Sequence, residues 1–145
     1  MQDIQAWANH HNYDLKQINM KTEHGNTALM RAAIEGDCEV AKTLLQMSAD
    51  HTLTNDDGNQ ALWLACFSEN PDLVSILISA GCDVDNENVN GVTPLMYTAS
   101  SGKEKMVEIL LNAGADAQIK SPDDFTALDL AATPKIYKRL KKATT

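Results

Sequence analysis

Gly91-Val92-Thr93-Pro94-Leu95-Met96 is the segment on which the reading of this chain turns, because its parts recur at a fixed distance. Gly25, Gly58 and Gly91 stand 33 residues apart, and the next step lands on Asp124. Behind each follows a matching tetrapeptide: Thr27-Ala28-Leu29-Met30, Gln60-Ala61-Leu62-Trp63, Thr93-Pro94-Leu95-Met96 and Thr126-Ala127-Leu128-Asp129. The pairs Leu44-Leu45, Leu77-Ile78 and Leu110-Leu111 keep the register, and the units close on Ser48-Ala49-Asp50, Gly81-Cys82-Asp83 or Gly114-Ala115-Asp116. A fixed period of this length marks a stacked repeat architecture.

Each unit reads as a pair of helices. Thr27 and Thr93 suit helix N-caps, since a hydroxyl there accepts a bond from an unpaired amide of the first turn. Leu29, Ala32 and Ala33 share one helical face, with small residues where neighbouring helices approach closely. Gly36 and Gly102 suit the end of that short helix in a left-handed conformation. The second helix carries Val40, Ala41, Leu44 and Leu45, then Leu73, Val74, Leu77 and Ile78, then Met106, Val107, Leu110 and Leu111. Gly81 and Gly114 end it, Asp83 or Asp116 opens the connection, and a hairpin-like finger forms around Gly58 or Gly91. One such unit cannot bury both faces of its helices, so stacking against neighbours must supply the stability.

The period, the tetrapeptides, the alanine pairs Ala32-Ala33 and Ala131-Ala132 and the terminal Gly114-Ala115-Asp116 resemble ankyrin repeats, over nearly the whole chain from about Ile18. The resemblance implies an all-α ankyrin-type helical repeat solenoid with short finger hairpins or loops. It also implies use in protein–protein recognition, an inference by analogy of fold. The expected layout is one domain over residues 1–145: an N-terminal cap at 1–21, repeats at 22–54, 55–87 and 88–120, and a C-terminal capping repeat at 121–145.

Both ends read as caps. Asp3 to His11 supply only the outer helix of a preceding unit, with Ile4, Trp7 and Ala8 facing inward. Asp124 to Ala132 keep the first helix of the last unit, and Pro134 fits the first turn of the next helix. There Ile136, Tyr137 and Leu140 face inward while Lys135, Lys138, Arg139, Lys141 and Lys142 face water. Terminal repeats need a polar outer surface.

At 145 residues and 43% hydrophobic content the chain is long enough for a continuous core, and 5% aromatic content suits one built of leucine, alanine and valine. No apolar run approaches membrane-spanning length, which points to a soluble chain. Cys38, Cys66 and Cys82 lack C-x-x-C or metal-ligand spacing. Cys66 aligns with Ala33 and Ala99, and Cys82 with Ala49 and Ala115, places for small buried side chains. Their odd number fits a reducing, cytoplasmic compartment. His10, His11, His24 and His51 form no helical zinc pattern. Asn55-Asp56-Asp57-Gly58 lacks the alternating ligands and terminal glutamate of a calcium loop and reads as turn chemistry. No cofactor, metal, small-molecule substrate or catalytic cleft is expected.

Charge is unevenly placed. The 20 acids and 12 bases give −8, and five bases lie between Lys135 and Lys142, so residues 1–134 hold 20 acids against seven bases, or −13. Such a body repels nucleic acid and attracts basic partners.

The second repeat exceeds what a scaffold requires. Gln60 stands where the capping threonine belongs, Glu69 where the helix-ending glycine belongs, and Trp63 and Phe67 lie four residues apart on one face. Phe67 aligns with Ile34, Ser100 and Thr133; Trp63 aligns with Met30, Met96 and Asp129. The resemblance places the first helices and fingers on a concave recognition surface. The expected protein-binding residues are Met30, Ile34, Trp63 and Phe67, with Trp63 partly buried beneath the others. Glu23, His24, Asp56, Asp57, Asp85 and Glu87 form their finger margin. The reading is a non-catalytic interaction module, monomeric alone, whose partner is a protein or peptide of basic character, in an adaptor or inhibitor role. Nucleic-acid or anionic-lipid binding through the basic C-terminal cap is the alternative, and catalysis ranks behind both.

Overall fold

The computed structural model describes residues 3–144. Met1, Gln2 and Thr145, which the cap readings 1–21 and 121–145 include, lie outside the described residues. The helices run α1 Ile4–His10, α2 Ala28–Glu35, α3 Cys38–Gln46, α4 Ala61–Ser68, α5 Pro71–Ser79, α6 Pro94–Ser100, α7 Glu104–Asn112, α8 Ala127–Leu130 and α9 Pro134–Ala143, with no strand among the described residues.

Local chemistry sets most of these boundaries. Thr27 Oγ1 accepts the Met30 amide and Thr93 Oγ1 the Met96 amide, while Thr126 and Asp129 form a reciprocal capping box. Caps of this kind contribute about 1 kcal/mol each. Asp37 and Asn70 cap α3 and α5, and Pro71, Pro94 and Pro134 occupy first helical turns, where their missing N–H costs nothing.

Two layers result. Helices α2, α4, α6 and α8 stack in one, and α3, α5, α7 and α9 in the other, with α1 packed beside α3. Leu29, Leu62 and Leu95 of the first layer and Leu44, Leu77 and Leu110 of the second are buried between them. Each contributes about 1.5–3 kcal/mol by burial. Ala32-Ala33, Ala65-Cys66 and Thr98-Ala99 are buried at the closest approaches, where larger side chains would wedge the layers apart.

The fingers are turn-closed loops that keep the 33-residue register. Thr22 N–H donates to Asn26 O, Asn55 to Asn59, Asn88 to Val92 and Ser121 to Phe125. Each tip is closed by a bond from Gly25, Gly58, Gly91 or Asp124 back to the opening residue. These four residues have φ of +74°, +76°, +71° and +72°, a region that costs an L-residue such as Asp124 about 1–2 kcal/mol. Neighbouring fingers are joined by Asp56 N–H to His24 O and Val89 N–H to Asp57 O. The next donor in that ladder would be residue 122, a proline, so the ladder stops. Pro122 instead packs so tightly on Gly91 that a Cβ there would lie 2.6 Å from its Cδ.

Two expectations about the C-terminal unit need correction. Its first helix does not reach Ala132 but ends at Leu130, and Ala131 turns extended at φ −57°, ψ 121°. Thr133 precedes a proline and must itself be extended, so the helix ends early, and Ala132 N–H bonds Ala99 O instead. Tyr137 is 46% exposed rather than inward, because Ile136 and Leu140, four residues apart, take the buried face of α9 and Tyr137 lies to one side of it.

Candidate functional site

The first-helix layer presents a register row. Ile34, Phe67 and Ser100 lie in the last turns of α2, α4 and α6 and are exposed, Ile34 at 37% and Phe67 at 49%. Thr133 leaves the row because its hydroxyl caps α9 and meets Glu104.

Phe67 stands out because of what lies under it. From Ala61 to Cys66, α4 is buried on every side, as befits a helix wedged between α2 and α6. Trp63 is 5% exposed, and its Nε1–H donates to Val92 O at 3.1 Å, at the base of the third finger. Trp63 and Tyr97 stack at 4.8 Å, and Phe67 lies 5.4 Å from Trp63 and 4.8 Å from Tyr97. Two rings from two repeats thus hold Phe67 in place with half its surface bare. Lys103 Nζ sits 5.7 Å over the Tyr97 ring and bonds Glu69 at 2.6 Å. Glu69 therefore replaces a helix-ending glycine at the cost of φ +54° while tying α4 to the following repeat.

Met30, expected on the binding surface, is buried at 1%. Its side chain turns back over its own helix start, where Sδ accepts the Thr27 amide at 3.4 Å. It supports the layer from behind.

On the fingers, Glu23, His24, Asp56, Asp57 and Glu87 are exposed. Asp85 departs from this margin: its half-buried carboxylate accepts the Asp116 amide at 2.9 Å, locking one inter-repeat connection to the next. Burial pushes the Asp85 carboxyl up against the lowering effect of that bond, and the charges of Asp83 and Asp116 add to the rise. Asn55 Oδ1 accepts the amides of Asp57 and Asn59, so Asn55-Asp56-Asp57-Gly58 is a turn.

A polar cleft of about 450 Å³ that the sequence reading did not foresee lies at the N-terminal end of this face, lined among others by His10, His11, Tyr13, His24, Arg31 and Glu35. Its guanidinium is already engaged, with Arg31 Nε 2.9 Å from Glu35 Oε2. Tyr97 and Lys103 were missed as well. Tyr97 stands one residue beyond the register of Trp63 in the next repeat, and that near-coincidence of aromatics was the readable signal.

The cysteines offer little chemistry. Burial pushes the thiols of Cys66 and Cys82 up to about 12, so both stay protonated and poor nucleophiles. Cys38 is half-buried rather than enclosed, at the start of α3, where Asn70 Nδ2 reaches its sulfur. Among the described residues no group of three or more His, Cys, Asp or Glu is placed to hold a metal ion, and no helix is long and apolar enough to cross a membrane. On α9, Lys135 pairs with Glu104 at 3.5 Å and Arg139 with Glu108 at 2.8 Å, so part of the basic run is tied to α7.

A family model described as ankyrin repeats in three copies matches residues 29–123 and again 62–142. No curated protein matches the chain. The matched span takes in nearly all of α2 through most of α9, with the caps Thr93 and Thr126, the buried leucines and the fingers from Asn55 onward, and the chain belongs to the ankyrin repeat family.

Proposed function

We propose that this chain is a non-catalytic binding module that takes a basic protein segment with an apolar anchor onto the face of its first helices and fingers. Ankyrin repeats are in general protein–protein interaction modules. The observation that carries the narrower reading is Phe67, half bare yet fixed by Trp63 and Tyr97. A rigid aromatic loses little entropy on binding, which is what makes such residues anchors. The charges around it support a basic partner. Arg31 and Lys103 are paired to Glu35 and Glu69, and Lys21, at the register of Glu87, bonds the Thr54 carbonyl, whereas Asp56, Asp57 and Glu87 have no ion pair among the described residues. The ion pairs of Lys135 and Arg139 reduce the charge that α9 could offer to nucleic acid or anionic lipid. An adaptor and an inhibitor would both be served by this surface.

The test is affinity capture from native lysate with the wild type, Phe67→Ala and an Asp56→Lys/Asp57→Lys variant, each checked by thermal melting. Proteins captured by the wild type should be lost with Phe67→Ala, a cost of about 1–3 kcal/mol. They should bind the finger variant more slowly and with weaker salt dependence. Identical capture by all three folded proteins would move the binding surface elsewhere.

A further inference from the structure

Both ring nitrogens of His11, at the junction of α1 and α2, face hydrogen-bond acceptors. Nδ1 lies 2.8 Å from the Trp7 carbonyl oxygen, and Nε2 lies 2.9 Å from Oε2 of Glu35. Neither a carbonyl nor a carboxylate has a proton to give. A neutral imidazole would therefore set a lone pair against an oxygen whichever tautomer it took, and only the doubly protonated ring satisfies both contacts. The ring also stacks on Trp7, with centroids 4.3 Å apart and planes 23° from parallel, and an indole face favours a cation.

The charged surroundings come from every neighbouring element. Helix α2 supplies Glu35 and Arg31, whose Nε shares Oε2 of Glu35 with His11. On α1 itself His10 lies edge-on at 5.0 Å. Tyr13 follows in the cap loop, its hydroxyl engaged by Thr22 and by the carbonyls of Asn26 and Thr27, and Asp14 caps the next turn. Across the cleft Glu23 and His24 face each other at 3.8 Å. On α3, against which α1 packs, Glu39 and Lys42 are exposed and make no ion pair with His11.

We propose that His11 is a proton-dependent clasp: as imidazolium it fastens the N-terminal cap to α2, and its deprotonation as pH rises loosens the cap, which buried Trp7, Ala8 and Tyr13 still hold to the stack. His10, His11 and Tyr13 form one wall of the polar cleft, so the same proton sets the shape of that end of the molecule. The change is local, because α2 keeps its own packing on α4 and α3 its own packing on α5.

The experiment is amide hydrogen exchange on the intact chain at pH 5.5 and pH 8, corrected for the intrinsic rate. Protection of residues 4–13 should fall about tenfold at the higher pH, the scale of one charge-assisted hydrogen bond, while α5 stays unchanged. His11→Gln should show low cap protection at both pH values. Glu35→Gln should remove the pH dependence, because its amide can donate to a neutral Nε2 and hold the cap at either pH. A purely structural contact would instead make Glu35→Gln weaker throughout. Nitrogen-15 spectra of the unmutated chain supply a second readout, with both His11 nitrogens protonated at pH 5.5 and one bare at pH 8. Cap protection that ignores pH in the wild type, a pH dependence retained by either variant, or a neutral His11 ring at pH 5.5 would each overturn the proposal.

Discussion

Helices α2 and α4 hold the same register in adjacent repeats but are specified differently. Helix α2 starts on Thr27, whose hydroxyl takes the Met30 amide, and ends on Gly36 at φ +71°. Its outer face carries Arg31 and Glu35, which bond each other. Helix α4 starts on Gln60 with no side-chain cap and ends on Glu69, a non-glycine at φ +54°. The Gln60 amide is satisfied by Asn86 Oδ1 at 2.9 Å, from the connection that leads to the next repeat, and its own Oε1 has no partner among the described residues. Trp63 and Glu69 likewise reach forward, to Val92 and Lys103. The one helix is closed by its own residues, the other by its neighbours. A helix that is apolar all round gains from being clamped on both sides, and α4 needs its local signals less.

The largest effect should come from cutting the forward contacts. Trp63→Ala removes a buried indole, its hydrogen bond and the floor beneath Phe67, and should lower unfolding free energy in urea by about 3–5 kcal/mol. A loss under about 1 kcal/mol would mean that α4 is held by its own helix after all. Next is the cap. Thr27→Ala should cost about 1 kcal/mol, whereas Gln60→Ala, which removes no cap bond, should cost clearly less in the same assay. Equal losses would erase the distinction between the helices. Gln60→Thr should sharpen it, raising stability by about 0.5–1 kcal/mol by adding the missing cap and removing an unpaired buried oxygen.

The smallest effect concerns the polar face of α2. Burial pushes the Glu35 carboxyl up, but the hydrogen bonds from Arg31 and His11 outweigh it and hold the group below its usual value. A depressed carboxylate contributes stability above its unfolded pKa and loses it as pH falls through the folded value. Thermal melts between pH 5 and pH 3 should therefore show the wild type losing more than Glu35→Gln, by under about 1 kcal/mol for a pair partly open to water. Parallel curves would show that this pair adds nothing to α2.

The sequence was most legible where one residue acts alone on its own backbone. The threonine caps, the prolines at first turns, the left-handed Gly36 and the buried leucine rows follow from residue type and spacing. Reading failed where a residue's role depends on a neighbour in another repeat. Met30, expected on the binding surface, shares the register of Trp63, yet an unbranched side chain can fold back on its own helix while an indole must reach across. Asp85 read as a finger charge, but its bond to Asp116 spans two connections that no local pattern links. Tyr137 read as inward from helical spacing, but Ile136 and Leu140 take the buried face of α9 and leave it outside.

The 33-residue period by itself determined that this chain is a stack of helix pairs, because a repeated amphipathic unit can bury its faces only against copies of itself. It also determined where the fingers turn, since few residues tolerate positive φ. Only the tertiary structure decided which aromatics meet, which charges are already paired, and that both nitrogens of His11 face oxygen. Those features lie between repeats, where side-chain reach and packing angle set the contact, and neither is written in the spacing of residues along one strand of sequence.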